Sequence, residues 1–94
     1  MYKLPIRYSS SNANKRKIVR EQYVKLQKGL CYWCKHSLDK EPPEHIKRKH
    51  INWNLFPPNF TKYPIHLQHN HKTDLTEGAV HALCNAVMWQ YHGR

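Results

Sequence analysis

The chain is short of acidic side chains, with six Asp and Glu against sixteen Lys and Arg among its 94 residues. The formal net charge is +10 with histidines neutral, and the isoelectric point is about 9.8. So strong an imbalance on a small domain favours a polyanionic partner, and nucleic acid more than a membrane surface. DNA or RNA is therefore the partner that the charge predicts.

Long apolar runs are also missing. No stretch approaches the roughly 18 apolar residues of a membrane span, and the first residues lack the apolar segment of a signal peptide. Only three cysteines are present, and 39% of the residues are hydrophobic. A secreted disulfide scaffold is thus disfavoured, and a cytoplasmic protein without a membrane partner is expected. The modest core predicts that a structural metal supplements the folding free energy.

The three cysteines and one histidine form two pairs with the same spacing, and two residues lie between the members of each pair. Cys31 and Cys34 make the first pair, and His81 and Cys84 make the second. Zinc takes thiolate and imidazole ligands from such pairs on tight turns. The alternative is two unrelated pairs, one redox-active and one buried. Because the spacings match and the pairs use every cysteine, we predict one structural Zn²⁺ site.

The length of the chain predicts a single domain preceded by a short arm. Residues 1–13 are polar and turn-rich, which predicts a flexible arm. Residues 14–28 have a helical pattern that Asn14 can cap and Gly29 can stop. The apolar positions of this basic helix are Val19, Tyr23 and Leu26. Residues 39–64 have no regular pattern and are predicted to be an irregular insertion loop, either functional or disordered.

The last third of the chain predicts a strand, a turn, a second strand and a helix. Residues 65–69 alternate between apolar and polar positions, as a half-buried strand does. A polar turn over 72–78, a returning strand over 79–83 and a closing helix over 85–92 are expected to follow. Gly93 is predicted to end that helix.

The segments LQHNHKT (67–73) and GAVHALCN (78–85) resemble the HNH endonucleases of the ββα-metal superfamily. The nearest branch is the recombination endonuclease VII group together with small phage-encoded HNH nucleases. The resemblance covers about residues 15–38 and 65–93. It implies a single, small zinc-stapled α+β nuclease domain at 14–94, in which a basic N-terminal helix precedes a ββα-metal core. It also implies a phage-encoded enzyme that works in the host cytoplasm.

The resemblance assigns roles to individual residues. His69 corresponds to the general base and Asn85 to a ligand of the catalytic ion, although Asn85 could instead be a helix N-cap. Gln68 stands where the family usually has Asp or His, and a neutral amide is a weaker ligand for Mg²⁺ than a carboxylate. His66 lies two residues earlier on the same strand face and could contribute to a site for Mg²⁺, Mn²⁺ or Ni²⁺. His71 is predicted to contact a phosphate.

The basic residues predict a DNA-binding surface, although a solvated helix face and a floppy insertion are the ordinary alternatives. A loop containing His45–His50 and Trp53 could enter a groove or stack on bases. The predicted DNA contacts are Lys15, Arg16, Lys17, Arg20, Lys47, Arg48, Lys49 and Lys72.

The sequence therefore predicts a metal-dependent DNA endonuclease or nickase that hydrolyses phosphodiester bonds with a histidine base. A non-catalytic, zinc-bound nucleic-acid-binding module is the alternative, in which Gln68 marks a lost active site. A zinc-stabilised protein-interaction module is a third possibility, and it predicts weak salt dependence of any nucleic-acid binding.

Overall fold

A computed structural model of the chain describes residues 1–93 and has a mixed architecture of helices and one two-stranded sheet. The elements, in order, are α1 (Ala13–Leu26), α2 (Glu44–Lys47), a 3-10 turn (Trp53–Leu55), β1 (Ile65–His69), β2 (Thr76–His81) and α3 (Ala82–His92). This composition confirms the prediction of a small α+β domain. Within the described residues, no helix combines the length and the apolar character that crossing a bilayer requires.

The N-terminal helix forms close to its predicted position, but a different asparagine caps it. The Asn12 side chain accepts a hydrogen bond from the Lys15 N–H at 2.8 Å, so the prediction of Asn14 as the cap is wrong. Val19 and Tyr23 are buried as expected, whereas Leu26 is exposed. After the helix ends, Gly29 adopts a left-handed φ of +76° and its N–H donates to the Val24 carbonyl. The residue directly after the C-cap Gln27 is Lys28, which has a left-handed φ of +56° and donates its N–H to the Lys25 carbonyl, so Lys28 and not Gly29 takes the position that ends the helix.

The sheet is an antiparallel pair in which β1 has its predicted bounds. Ile65 faces His81 and Leu67 faces Ala79, with an irregularity in the register between Gln68 and His69. The returning strand begins at Thr76 and not at residue 79, because the turn closes earlier than predicted. Its closing bonds run from the Asn70 N–H to the Leu75 carbonyl and from the Asp74 N–H to the Asn70 carbonyl.

The closing helix begins three residues earlier than predicted, at Ala82, and ends at Gly93 as expected. His81 is its N-cap residue, so the alternative of Asn85 as the N-cap is wrong. The core gathers around this helix and the sheet. Its most deeply buried side chains include Val19, Val80, Cys84, Val87 and Met88. Both α1 and α3 pack against the sheet, and neither packs against the other within residues 1–93.

The N-terminal segment, expected to be a flexible arm, is docked against β2. Ile6 is buried, its N–H donates to the Thr76 hydroxyl, and its carbonyl accepts from the Thr76 N–H at 3.0 Å. The Tyr8 N–H donates to the Asp74 carbonyl. The Asp74 carboxylate accepts from the Ser9 backbone and hydroxyl, which lowers the pKa of Asp74. These bonds join residues about 70 positions apart, so local composition could not predict them.

The segment 39–64, predicted to be an irregular insertion, contains the short helix α2 and the 3-10 turn, and it is anchored to α3. Ile46 and Ile51 are buried in the core. The His50 carbonyl accepts hydrogen bonds from the Tyr91 hydroxyl at 2.6 Å and from the Gln90 amide at 3.0 Å. Gln90 also accepts from the Asn52 N–H. The alternative of a floppy insertion is therefore not what the structure contains.

The side chain of Gln27, the residue that caps the C-terminal end of α1, joins the helix to the sheet and to the cysteine turn. The Gln27 amide oxygen accepts from the Ala79 N–H at 2.8 Å, and its amide nitrogen donates to the carbonyls of Ala79 and Leu30. The Tyr32 N–H donates to the same Ala79 carbonyl. A Cβ on Gly78 would lie 2.7 Å from the Gln27 amide oxygen and 2.8 Å from the Tyr32 ring. Only glycine leaves room for this arrangement.

We expect Gly78→Ala to lower the free energy of unfolding by about 3 kcal/mol, the upper end of the usual cost of overpacking a filled interior. Both close neighbours are held by hydrogen bonds or by the cysteine turn, so they have little freedom to move. Gly29→Ala is the matched comparison, since a Cβ there meets no atom within 4 Å. Its only cost is the left-handed backbone, about 1 kcal/mol. Urea unfolding of both variants measures the difference, and equal destabilisation would contradict the clash.

Candidate functional site

The first pair of predicted zinc ligands lies on a tight turn closed by backbone hydrogen bonds. Leu30 and Ser37 form a short antiparallel bridge at its base. The Cys31 N–H donates to the His36 carbonyl, and the Lys35 N–H donates back to the Cys31 carbonyl. Lys35 completes the turn with a left-handed φ of +65°. This geometry turns both thiols toward the same point.

The second pair comes from the junction of β2 and α3. His81 ends the strand and caps the helix, and Cys84 lies in the first turn of that helix. The four ligand atoms all lie within 4.8 Å of one another. His81 Nδ1 is 3.4 Å from Cys34 Sγ and 3.6 Å from Cys84 Sγ. Tetrahedral zinc with its usual bond lengths gives a sulfur–nitrogen separation of about 3.6 Å. The predicted Cys3His cluster is therefore confirmed, and it could hold zinc.

The His81 ring is oriented for metal binding by two carbonyl groups. Its Nε2 lies 2.9 Å from the Ser37 carbonyl and 2.8 Å from the Lys40 carbonyl. Carbonyls only accept hydrogen bonds, so Nε2 carries the proton and Nδ1 keeps its lone pair. This lone pair faces the three thiols. A second hydrogen-bonded shell of this kind is typical of histidines that ligate metals.

The electrostatics of the cluster also favour a cation. A hydrogen bond from Cys84 lowers the pKa of Cys31. The same contact, together with burial, raises the pKa of Cys84, while burial raises the pKa of Cys34. Three neighbouring thiols thus cannot all ionise when they face only one another. A divalent ion would offset that repulsion and bind all three as thiolates.

A separate cleft of about 460 Å³ lies along β1. Among the residues that line it are five of the residues assigned by resemblance to catalysis or to the catalytic ion: His66, Gln68, His69, His71 and Asn85. Two of the predicted DNA-binding residues of α1, Arg16 and Arg20, line it as well. The structure therefore brings together residues that are up to 69 positions apart in the sequence.

His69 is held in the cleft by a stack of rings. The centroid of the Tyr8 ring lies 3.9 Å from that of the His69 imidazole, at an interplanar angle of 9°. The Arg16 guanidinium lies 4.0 Å from the centroid of the same Tyr8 ring. Burial lowers the pKa of His69, and the neighbouring His71 and Arg16 add to this effect. The neutral imidazole is therefore favoured near neutral pH, which is the form that a general base needs. No sequence pattern pointed to Tyr8.

Asn85 contacts His66 across the cleft. Its amide nitrogen lies 3.1 Å from His66 Nδ1. Rotation of the Asn85 amide by 180° would place its oxygen at a similar distance from His66 Nδ1. This distance is close to the separation of about 3.0 Å between neighbouring ligand atoms in an octahedral site with metal–ligand bonds of about 2.1 Å. Burial lowers the pKa of His66 and favours the neutral ring that can ligate a metal. The donor set at this point is thus compatible with one divalent ion.

Gln68 is almost fully buried beside this pair. Its amide nitrogen donates to the His69 carbonyl at 3.0 Å and to the Glu77 carboxylate at 3.3 Å. Its role as an ion ligand stays a prediction. His66 is the residue that the structure pairs with Asn85.

The remaining basic residues lie outside the cleft. Lys47 forms ion pairs with Glu41 and Glu44, and Arg48 is 3.7 Å from Glu44, so part of their charge is offset locally. Others contact aromatic rings: Lys15 lies over Tyr2 and Lys49 over Tyr91. Lys17 is exposed, and Lys72 lines a smaller cavity with His71 and His92.

Comparison with models of known protein families, with characterised proteins and with solved structures finds no match to this chain.

Proposed function

We propose that the protein is a metal-dependent DNA endonuclease or nickase of the HNH type, built on a zinc-stapled ββα-metal core. The observation that supports this best is the convergence of His69, His66 and Asn85 in one cleft beside two arginines. A phosphodiester hydrolase needs a base, a charge stabiliser and cationic groups for the substrate. This cleft contains a candidate for each of the three.

In this proposal His69 takes a proton from the attacking water. The stack on Tyr8 fixes the plane of the imidazole, and burial keeps it neutral. Arg16 and Arg20 bind the phosphates on either side of the scissile bond. His71, whose ring centroid is 4.6 Å from that of His69, contacts the same backbone.

His66 and Asn85 would hold the catalytic ion, with Gln68 as a further candidate ligand. Such an ion stabilises charge on the phosphoryl oxygens and on the departing oxygen. Because His66 offers nitrogen, Mn²⁺ and Ni²⁺ are expected to support activity at least as well as Mg²⁺.

The test is the cleavage of supercoiled plasmid by the zinc-loaded protein. We expect nicked product when Mg²⁺, Mn²⁺ or Ni²⁺ is added, and none when excess EDTA is present in a short incubation. DNA binding without cleavage by any of these ions would reject the nuclease. That result would favour the non-catalytic nucleic-acid-binding module, with the neutral Gln68 as its reason. Absence of both binding and cleavage would favour a protein-interaction module.

Removal of the Tyr8 ring tests the positioning of the base. We expect Tyr8→Ala to reduce the rate of cleavage about tenfold, because a small misplacement of a catalytic group lowers the rate strongly. Tyr8→Phe keeps the stacked ring and should cleave at nearly the wild-type rate. Single-turnover rates with equal zinc content are the measurement. Equal rates for all three proteins would show that the stack does not position His69.

A further inference from the structure

The cleft has two chemically different sides. Arg16 and Arg20 come from α1, whereas Trp89 comes from α3. Both helices pack against β1, and the residues of β1 also line the cleft. The α3 side is extended by the segment 55–63, which supplies Leu55, Phe56, Pro57, Phe60 and Tyr63. One side is therefore cationic and the other aromatic.

The aromatic side is a fixed cluster. The Phe56 ring lies 4.7 Å from Phe60 and 5.5 Å from Trp89, measured between centroids. Phe60 in turn meets His66 edge to face at 4.7 Å. Mutual contacts of this kind hold ring planes in place without covering their outer surfaces.

A large part of this aromatic surface is open to solvent. Trp89 is 42% exposed and Tyr63 is 64% exposed. Neither ring belongs to the described hydrophobic core or to the partly buried side chains that pack against it. Exposed aromatic rings that line a cleft next to cations are typical of proteins that bind unpaired nucleic-acid strands.

Whether a base can stack on these rings depends on whether the nucleic acid is paired. In a duplex, the faces of each base are covered by its neighbours, and side chains reach only the base edges. An unpaired base exposes its face and can stack on an aromatic ring. The cleft volume of about 460 Å³ lies in the range of roughly 300–1,000 Å³ that encloses a small organic ligand. It can therefore admit a base together with its sugar.

From this arrangement we propose that the substrate is unpaired DNA, whose bases stack on Tyr63 and Trp89 while its phosphates contact Arg16 and Arg20. This specifies the substrate class of the proposed nuclease and rests on that function for its catalytic meaning. Binding of the unpaired strand does not depend on cleavage. Single-stranded regions, flaps and bubbles then become the preferred targets, and continuous duplex a poor one.

The experiment measures binding by fluorescence anisotropy at one fixed ionic strength, without added divalent ions. The probes are a labelled oligothymidine strand and a labelled hairpin duplex with the same number of phosphates. We expect the wild-type protein to bind the strand at least tenfold more tightly than the duplex. Equal affinity, or tighter binding of the duplex, would overturn the proposal.

The matched variants are Tyr63→Ala and Tyr2→Ala. Tyr2 is 37% exposed and lies outside the cleft lining, so it controls for the loss of an exposed ring elsewhere. Stacking on one base supports a loss of strand affinity of about tenfold for Tyr63→Ala. Tyr2→Ala should bind like the wild type. Equal losses in the two variants would reject stacking in the cleft, even where the strand is preferred.

Trp89→Ala tests the same aromatic surface a second time and should also lower the affinity for the strand. Thermal unfolding of this variant checks whether the loss of packing against Phe56 destabilises the fold.

The outcomes distinguish the proposal of an unpaired substrate from the proposed nuclease function. Strand preference without cleavage of either the plasmid or the labelled strand, when Mg²⁺, Mn²⁺ or Ni²⁺ is added, would reject only the catalytic function. Cleavage with equal binding of strand and duplex would reject only the unpaired substrate.

Discussion

Replacing His69 with alanine is expected to reduce plasmid cleavage by about 10²–10⁴-fold, the usual contribution of a general base. The expectation rests on a half-buried, neutral imidazole that faces the cleft and is fixed by Tyr8. His69 is not part of the apolar core, so the fold should persist. The measurement is the rate of nicking at saturating Mn²⁺, compared at equal zinc content and equal far-ultraviolet circular dichroism.

His45→Ala is the matched control, because His45 is an exposed histidine on the short helix α2, outside the cleft lining. It should leave the rate unchanged. Nicking by His69→Ala at close to the wild-type rate would remove His69 from the mechanism. A loss of cleavage in the His45 variant would instead indicate that the loop containing His45–His50 takes part in DNA binding.

Loss of the zinc cluster is expected to have the largest effect on stability. Structural zinc binds zinc-finger peptides with about 10–16 kcal/mol, which is comparable to the entire stability of a typical domain, about 5–15 kcal/mol. His81→Ala removes one ligand and leaves three neighbouring thiols without the imidazole that faces them. We expect this variant to lose bound zinc and to be largely unfolded at room temperature. Zinc analysis and a circular dichroism melt measure both effects.

Two variants make this prediction specific. His81→Cys supplies a fourth thiolate, which zinc accepts, and should retain both metal and fold. His36→Ala removes a neighbouring exposed imidazole while keeping the backbone carbonyl that accepts from Cys31. It should behave like the wild type. If the His81→Ala protein contained no zinc and still melted at the temperature of the wild-type protein, the cluster would not be a structural metal site.

The zinc cluster could be predicted from the sequence because its signal is local. Two residues separate the members of each pair, and this spacing largely fixes the turn that carries the pair. The bounds of β1 were predictable for the same reason, since alternation is visible within five residues. The start of β2 was not, because Thr76, Glu77 and Gly78 have a weak strand pattern and gain their structure from pairing with β1.

The cleft depended on contacts that no local pattern encodes. Tyr8 reaches His69 only because the N-terminal segment docks on β2. Asn85 meets His66 because α3 begins at Ala82, which turns that side chain toward β1. The resemblance of the sequence to HNH nucleases suggested His69 and Asn85, but it contained nothing about the aromatic side. Phe56 and Phe60 lie within residues 39–64, which the resemblance does not cover.

The contacts of Gln27 have a consequence for the behaviour of the protein at high concentration. An unpaired sheet edge offers free N–H and carbonyl groups to strands of other molecules, which is a common route to aggregation. On the outer side of β2, Ile6 bonds to Thr76, while Gln27 and Tyr32 bond to Ala79. Since Gln27 immediately follows α1, the folding of that helix also closes this edge against intermolecular strand pairing. A truncation that removed the N-terminal segment would reopen part of it and favour fibrillar self-association.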